Sequence, residues 1–251
     1  MNTSYPGDRT RSYSKHRDYW LGKKRVSHRY LEILKGMLNP SMNVMDLGCG
    51  GGRLSFLIGE EAGKVVGVDL SEDLVVGARA KADQLKDSDL KFIVGDLEEE
   101  KTWALAREEI GGTPFDILIS NAMMRKDTCD ISTILKHSLN NLSGGGRICY
   151  RIQDANDLRE LGVPSPCYSV REVERISKIS GFENLSIERE VFHQRFSSSD
   201  FVFKFLERTD LMEYYGNAGN MDSIKGRLER IEGKRGLTLQ RHYMILTAGR
   251  Q

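Results

Sequence analysis

A glycine-rich stretch between two apolar segments constrains the fold of this chain more than any other feature. The stretch reads VMDLGCGGG over residues 44–52, and a second apolar segment follows at residues 64–69. A glycine-rich turn between a strand and a helix lets the backbone pass close to a ligand and directs the N–H groups of the helix N-terminus at it. The stretch therefore predicts a strand–turn–helix unit that binds a ligand through its backbone.

Strand-like and helix-like segments alternate along most of the chain. Strands are expected over residues 43–47, 64–69, 90–94, 115–120 and 146–152. Helices are expected over residues 24–38, 52–61, 98–110 and 130–142, and another after the second strand. This alternation predicts a doubly wound α/β fold, in which a mostly parallel sheet is covered by helices on both faces.

The helix after the second strand has a recognisable start. Ser71 is expected to be its N-cap, since serine favours that position and two acids follow in the first turn. The buried stripe of this helix is expected to consist of Leu74, Ala78, Ala82 and Leu85.

Composition and charge narrow the class of protein. No run of eighteen apolar residues is present, which argues against a membrane span. The four scattered cysteines form no CxxC pair, which favours reduced thiols in a cytoplasmic protein and gives no zinc site; the five histidines show no metal-ligand spacing either.

Positive charge is concentrated at the beginning of the sequence. Residues 1–35 hold nine Lys and Arg against three acids, although the whole chain has a formal net charge of only +1. A basic segment attracts an anionic substrate, a cofactor or RNA. The alternative is a solvated arm with no partner.

Acids stand at three strand ends. Asp46 lies two residues before the first glycine, Asp69 ends the second strand, and Asp96 follows the third. The carboxyl edge of an open α/β sheet is where such folds bind ligands. Two of these acids could instead have a purely structural role, because Asp69 could cap the next helix and Asp96 could belong to an ordinary turn. A nicotinamide dinucleotide fits less well, since Arg53 stands where GxGxxG requires its third glycine.

From about residue 31 to residue 182 the chain resembles class I S-adenosylmethionine-dependent methyltransferases, and four ordered motifs carry the resemblance. They read VMDLGCGGG, VVGVDLS, FIVGDL and FDILISNAM. The resemblance implies S-adenosylmethionine as cofactor, S-adenosylhomocysteine as product, and a seven-stranded Rossmann-like sheet that ends in an antiparallel hairpin.

The resemblance also implies roles for individual residues. In this reading Asp46 orients the glycine loop, Asp69 holds the ribose hydroxyls, and Asp96 accepts from the adenine amino group. The full set of cofactor-binding residues is Asp46, Gly48, Gly50, Gly52, Asp69, Leu70, Asp96, Leu97 and Ser120. The three glycines would line the methionine part, Leu97 would contact the adenine ring, and the backbone of Ser120 would lie near the methionine amino group.

The fourth motif reads SNAMMRKD and leaves the catalytic residue unassigned. It lacks the Pro-Pro-aromatic sequence of amino-methylating relatives that act on nucleic acid bases, and Met123, Met124 and Arg125 stand where many small-molecule relatives carry a histidine. The chemistry then relies on placement of the acceptor. His193, after a strand-like segment, is a weaker candidate for a base.

An insert before the last strand is expected to determine the acceptor. Residues 1–251 are expected to form one domain, divided into an N-terminal arm and helix (1–40), a cofactor-binding core (41–196), a helical cap (197–236) and the last strand (237–251). The cap's position resembles that in methyltransferases of the trans-aconitate and malonyl-carrier type, where such a lobe roofs the acceptor. The alternative is that its aromatic residues only dock it on the sheet.

These features favour a methyltransferase acting on a small-molecule or carrier-bound acceptor. Two alternatives remain: an RNA or protein methyltransferase that uses the basic arm, and a protein that binds S-adenosylmethionine without catalysis. Nucleic acid is disfavoured because the arm is short and no separate RNA-binding module is present. Tyr13, Tyr19 and Trp20 of the arm are expected to fold over the cofactor. The oligomeric state is left open.

Overall fold

The computed structural model describes residues 26–85, 89–208, 211–217 and 219–250. Helices and strands alternate in these ranges, as the sequence predicts. The strands are β1 Asn43–Leu47, β2 Lys64–Asp69, β3 Leu90–Val94, β4 Phe115–Asn121, β5 Leu142–Gln153, β6 Glu183–Phe196 and β7 Leu237–Gly249. The helices are α1 His28–Lys35, α2 Arg53–Ile58, α3 Glu72–Leu85, α4 Glu100–Glu108, α5 Ile131–Asn141, α6 Val170–Ile179, α7 Ser199–Arg208, α8 Leu211–Asn217 and α9 Met221–Ile231. A short 3-10 helix spans Arg159–Leu161.

All seven strands form one sheet with the order β3-β2-β1-β4-β5-β7-β6. Strands β1 to β5 pair in parallel, whereas β7 runs antiparallel between β5 and β6. The predicted doubly wound sheet with its final antiparallel hairpin is therefore confirmed. The reversal of strand order on either side of β1 brings the ends of β1 and β4 together, with Leu47 in register with Ser120.

Helices bury both faces of the sheet. Side chains that alternate along each strand separate into two apolar clusters, one under α4, α5 and α6 and the other under α1, α2 and α3. Tyr30 anchors α1 to the second face, because its hydroxyl lies 2.9 Å from the carbonyl oxygens of both Ser120 and Cys149. Helix α1 begins at the carboxyl edge of the parallel strands, where the Ser27 hydroxyl contacts the Glu190 carboxylate.

A third cluster joins the helical insert to the end of the β6–β7 hairpin. Helices α7, α8 and α9 pack against the segment after β5 and the ends of the two strands. The buried apolar residues of this cluster are Leu158, Leu161, Phe196, Val202, Phe205, Leu206, Leu211, Tyr215, Ile224, Leu228, Leu237 and Leu239. The expectation of helical segments between residues 197 and 236 is thus confirmed. Most of the insert's apolar residues serve to dock it, although Phe201 is exposed.

Several local expectations differ from the structure. Strand β5 begins at Leu142 instead of residue 146, because a register shift between Phe115 and Ile117 of β4 accommodates the intervening glycines. Leu85, expected in the buried stripe of α3, is 59% exposed, and Val75 is buried instead. Ser71 directly precedes α3 and its carbonyl accepts from the Val75 N–H, as expected of an N-cap, but its hydroxyl makes no hydrogen bond to the helix.

The start of α1 also differs. The helix begins at His28 with Ser27 as its N-cap, and the Ser27 hydroxyl accepts from the Tyr30 N–H. Residues 24 and 25, the basic arm and its aromatic residues Tyr13, Tyr19 and Trp20 lie outside the described residues. Within the ranges given above, no helix has the length and apolar character to cross a membrane.

Candidate cofactor and acceptor site

The glycine loop between β1 and α2 has a left-handed backbone at alternate positions. Gly48, Gly50 and Gly52 have φ values of 67°, 53° and 75°. Residues with a Cβ rarely adopt this region, so glycine is required by backbone conformation before any ligand is considered. Gly52 also directly precedes α2 and occupies its N-cap position.

Only one of these three glycines borders open space in the described structure. A Cβ at Gly48 would lie 2.4 Å from the Met123 side chain, and one at Gly52 would lie 2.7 Å from Phe92. A Cβ at Gly50 would meet only Leu74, at 3.9 Å. Gly48 and Gly52 are therefore explained by internal packing, whereas Gly50 leaves room for a ligand against its backbone.

Asp69 connects the glycine loop to the end of β2. Its Oδ2 accepts from the Gly50 N–H at 2.8 Å, and its Oδ1 accepts from the Ser71 N–H at 2.9 Å. Burial raises the pKa of this carboxyl, and the N–H groups of Ser71 and Gly50 act in the opposite direction. Each carboxylate oxygen has a second lone pair, so Asp69 can stabilise the loop and still accept hydrogen bonds from a ligand.

Asp46 is built into the interior behind the loop. Its side chain is 1% exposed, and its Oδ2 accepts from the Ser55 hydroxyl of α2 at 2.7 Å. Burial raises the pKa of Asp46 to about 7; the Ser55 hydrogen bond lowers it, and the neighbouring Asp69 carboxylate raises it further. Asp46 thus ties β1 to α2 and determines the path of the glycines between them.

The segment after β3 forms a tight turn. The Oδ1 of Asp96 accepts from the Glu98 N–H at 2.9 Å. Asp96 therefore stabilises a turn, which is the structural alternative considered for it from the sequence. The next residue, Leu97, is buried, and its carbonyl accepts from the indole N–H of Trp103 at 2.9 Å. The turn is thereby fixed on α4, at the same edge of the sheet as Asp69.

The end of β4 lies beside the glycine loop. Ser120 is buried; its hydroxyl donates to the Leu47 carbonyl at 2.9 Å, and its own carbonyl accepts from Tyr30. Leu70, after Asp69, is half-buried at the neighbouring strand end. The structure therefore brings the residues named from the sequence to one edge of the sheet, over the ends of β1 to β4.

A buried polar cluster under the cap was not predicted from the sequence. The Arg241 side chain is 2% exposed and donates to both carboxylate oxygens of Asp157, at 2.9 and 3.0 Å. Asp157 also accepts from the His242 N–H at 2.8 Å and from Gln153 at 3.1 Å. The sequence offered little signal for this cluster, because Arg241 stands between the polar residues Gln240 and His242.

A second unpredicted group lies on β5, β6 and β7 near the end of β4. Arg151 donates to Glu190 at 2.7 Å, and its guanidinium lies 3.5 Å from the centroid of the Tyr243 ring. Phe192 stacks on Tyr243 with centroids 5.9 Å apart. The signal available here was a charged residue, Arg151, between Tyr150 and Ile152.

The remaining candidates from the sequence lie outside this arrangement or are enclosed in it. His193 is exposed on β6, beside Gln240. Met124 is 1% exposed, and Arg125 is buried in a two-pronged contact with Asp127, both distances being 2.9 Å. The residues after β4 that replace the histidine of relatives are thus packed inside the protein.

The sheet order and the glycine loop with its acidic partner define a class: α/β proteins that bind an adenosine-containing cofactor at the carboxyl edge. A model of the family described as methyltransferase domain matches residues 38–178, more than half of the chain. The chain belongs to this family of class I S-adenosylmethionine-dependent methyltransferases, whose cofactor is S-adenosylmethionine.

The match to an individual curated protein covers less of the chain than the match to the family model does. Demethylmenaquinone methyltransferase of Lactococcus lactis subsp. lactis is 31% identical over 110 residues, which cover 43% of this chain and 40% of that enzyme. The match therefore spans less than half the length of this curated relative.

Two solved structures show the same fold at low sequence identity. The YcgJ protein from Bacillus subtilis has a TM-score of 0.65 at 13% identity, covering 90% of this chain and 99% of that one. Haemonchus contortus phosphoethanolamine N-methyltransferase 2, in complex with phosphomonomethylethanolamine and S-adenosylhomocysteine, has a TM-score of 0.59 at 18% identity, covering 94% of this chain and 56% of that one.

Proposed function

We propose that this protein transfers the methyl group of S-adenosylmethionine to a small-molecule or carrier-bound acceptor and releases S-adenosylhomocysteine. The observation that carries the proposal is the pairing of Gly50 with Asp69. The Gly50 N–H donates to the Asp69 carboxylate, and open space lies against the Gly50 backbone. This arrangement places an open backbone surface beside an acceptor of hydrogen bonds. The methionine part of the cofactor requires the first, and the ribose hydroxyls require the second.

The cofactor is assigned to the edge formed by β1 to β4. Asp69 accepts from the ribose hydroxyls, and the glycine loop lies along the methionine part. Asp96 accepts from the adenine amino group, Leu97 and Leu70 contact the adenosine, and the backbone of Ser120 approaches the methionine amino group. Asp46 acts one layer below, since its burial against Ser55 keeps it from the ligand.

Placement of the acceptor accounts for the chemistry. When bound, S-adenosylmethionine supplies a methyl group on a sulfonium, which is displaced in line by the acceptor. Orienting two reactants and excluding water lower the barrier to such a displacement. We assign no general base, because the residues after β4 at the place of the relatives' histidine are Met123, Met124 and Arg125.

The cap supports a small acceptor. Helices α7, α8 and α9 pack on the hairpin end and on the segment that follows β5. In this proposal they limit the room over the methyl group. The curated relative is named for demethylmenaquinone, and one structural relative was solved with phosphomonomethylethanolamine. We propose that the chain is one domain, in which residues 41–196 bind the cofactor and residues 197–236 close over the acceptor.

We place the protein in the cytoplasm. Its four cysteines are all free and buried, which fits a reducing compartment. An RNA or protein acceptor would have to be recognised by the basic arm, which lies outside the described residues.

Cofactor binding tests the assignment of Asp69. Asp69→Asn keeps the shape of the side chain but replaces one acceptor oxygen by a donor. Loss of charge-assisted hydrogen bonds to the ribose should weaken S-adenosylmethionine binding at least about tenfold by calorimetry. The control is Asp73→Asn, an exposed acid in the first turn of α3. An unchanged dissociation constant in folded Asp69→Asn would refute the ribose assignment.

Catalysis needs a separate measurement. The protein, S-adenosylmethionine and a metabolite extract of the encoding organism should yield S-adenosylhomocysteine and a methylated product detected by mass spectrometry. Tight cofactor binding with no extract-dependent S-adenosylhomocysteine would instead identify a binding protein without methyl transfer.

A further inference from the structure

Asn121 lies at the carboxyl edge of the sheet, beside the glycine loop to which the cofactor is assigned. It is the last residue of β4, and β4 is paired with β1 so that Ile119 is in register with Asp46. Side chains two residues apart along a strand share a face, so Asn121 extends the face that carries Asp46, just beyond the glycine loop. Met123, two residues further on, lies against Gly48.

Arg151 is the register partner of Asn121 on β5 and is held in place by Glu190 and Tyr243. Its side chain is 7% exposed, and its Nε and Nη2 lie 2.7 and 2.6 Å from the Oε2 of Glu190. The ring of Tyr243 covers the guanidinium at 3.5 Å. The hydroxyl of Ser27 contacts the other oxygen of Glu190. These contacts leave the guanidinium little freedom to turn.

The position of Arg151 determines how the Asn121 amide is oriented. The Nη1 of Arg151 lies 3.4 Å from the Oδ1 of Asn121, a long hydrogen bond. A guanidinium has donors and no acceptor, so the amide must present its oxygen to Arg151. The amide nitrogen of Asn121, with its two N–H groups, is then directed away from Arg151.

We propose that Asn121, oriented by Arg151, donates a hydrogen bond to the acceptor, and that the methylated atom is an ionised oxygen and not an amino nitrogen. The amide oxygen is turned toward Arg151, so the groups that Asn121 presents away from Arg151 are its two N–H donors. Such donors would compete with the sulfonium for the lone pair of an amino acceptor. An oxyanion instead accepts hydrogen bonds from these N–H groups. This inference rests on the proposed methyl transfer.

The reaction then balances without a base. A lone pair of the oxyanion forms the new O–CH₃ bond while the S–CH₃ bond breaks, and its electron pair stays on the sulfur of S-adenosylhomocysteine. The oxygen has no proton to lose, which agrees with the side chains that follow β4. Arg151 is a positioning residue in this scheme, and Asn121 is the residue that touches the acceptor.

Asn121→Asp separates the two kinds of acceptor. The substitution keeps the shape of the side chain and its attraction to Arg151 but removes both N–H donors. For an oxyanion acceptor we expect kcat/KM for the acceptor to fall at least about tenfold, with S-adenosylmethionine affinity within about twofold of wild type. Asn140→Asp, on the exposed side of α5, is the matched control. Retained or increased activity of Asn121→Asp would overturn the proposal.

A double variant tests the positioning by Arg151. Arg151→Met with Glu190→Gln removes the ion pair without leaving a buried carboxylate unpaired. If Arg151 acts through Asn121, adding Asn121→Asp to this variant should cause little further loss of kcat/KM. Losses that multiply would show that the two residues act independently and would overturn the positioning role.

The product identifies the methylated atom directly. The protein is incubated with S-adenosylmethionine labelled with ¹³C in the methyl group and a metabolite extract of the encoding organism. We expect the ¹³C-methyl signal of an ester or ether. An N-methyl or C-methyl signal would overturn this inference while leaving methyl transfer intact. Absence of any labelled product, with cofactor bound, would refute the proposed function and this inference with it.

Discussion

Acids at three neighbouring strand ends differ because their surroundings differ. Asp46 is sealed under the glycine loop, whereas Asp69 is half-buried and faces the loop through the Gly50 N–H. Asp96 uses one oxygen to close a turn. The same residue type therefore supports the loop in one place and is positioned to reach a ligand in the other two.

The open space at Gly50 leads to a prediction for a single substitution. Asparagine tolerates a left-handed backbone, so Gly50→Asn should fold while its side chain fills the volume assigned to the cofactor. We expect S-adenosylmethionine binding to be lost in calorimetry and circular dichroism to be unchanged. Gly111→Asn is the control, since Gly111 also has positive φ and open space but lies in the loop between α4 and β4. Tight binding by Gly50→Asn would disprove the close approach.

Burial of Asp46 predicts a dependence of stability on pH. Because burial raises the pKa of Asp46 to about 7, the folded protein holds this proton where the unfolded chain has lost it. Its contribution to the free energy of unfolding should decrease as pH rises from about 4 to 7, by on the order of 4 kcal/mol at most. Asp46→Asn should remove this decrease, because the amide does not ionise and can still accept from Ser55.

Urea unfolding of both proteins from pH 5 to pH 8 measures this effect. The stability of Asp46→Asn relative to wild type should increase with pH across this range. Parallel pH dependences would show that Asp46 is not protonated in the folded protein at acidic pH.

At the scale of elements, the sequence pattern predicted the bounds of the short apolar strands better than the start of β5 and the buried face of α3. Strands β1, β2 and β3 lie at the expected bounds, because each is a short apolar run that ends at an acid or a turn. The start of β5 was missed, since SGGG reads as a loop and only pairing with β4 makes it a strand. Leu85 was placed in the core by helical spacing alone, and the end of α3 lies beyond the sheet that would bury it.

One part of the candidate site was predicted from the sequence and another part was not. The cofactor edge was predicted because its residues are close in sequence and form recognisable motifs. Arg151, Glu190 and Tyr243 come from three distant strands, and only the sheet order β5-β7-β6 brings them together. No sequence spacing predicts which acid meets which arginine.

The buried pair of Arg241 and Asp157 predicts how the segment after β5 is held to β7. Removing one partner of a buried ion pair leaves the other charge uncompensated, at a cost of about 3–5 kcal/mol. Arg241→Met should destabilise the protein by this amount in urea unfolding. Adding Asp157→Asn should restore part of the loss, because the amide oxygen still accepts from the His242 N–H and carries no charge.

A double variant no more stable than Arg241→Met would contradict this account. The guanidinium of Arg241 also lies 4.8 Å from the Phe205 ring of α7. Losses from packing alone would therefore persist in the double variant, which distinguishes packing from charge.

For the molecule as a whole, we propose that two halves of the carboxyl edge carry separate tasks. In this proposal the ends of β1 to β4 form the cofactor side, and β5, β7, β6 and the cap form the acceptor side. Residues Ser120 and Asn121 at the end of β4 lie on the boundary. We expect ligands to act on these halves one at a time.

Hydrogen exchange with and without S-adenosylmethionine checks this division. Cofactor should protect amides of the glycine loop (48–52), of residues 69–71 and of the turn at 96–98. Helices α7, α8 and α9 should change little until an acceptor analogue is added, because they contact the hairpin and not the glycine loop. Equal protection of the cap by cofactor alone would contradict the division into two halves.

The position of β7 between β5 and β6 delays completion of the sheet while the chain is synthesised at the ribosome. Strand β6 is translated before β7, yet in the sheet β6 pairs with β7 alone. Until β7 has left the exit tunnel, β6 has no strand to join, and β5 has an open edge. The nascent chain must therefore carry an unfinished sheet, together with the cap, for the time taken to synthesise the last of its strands, which is when chaperone protection matters most.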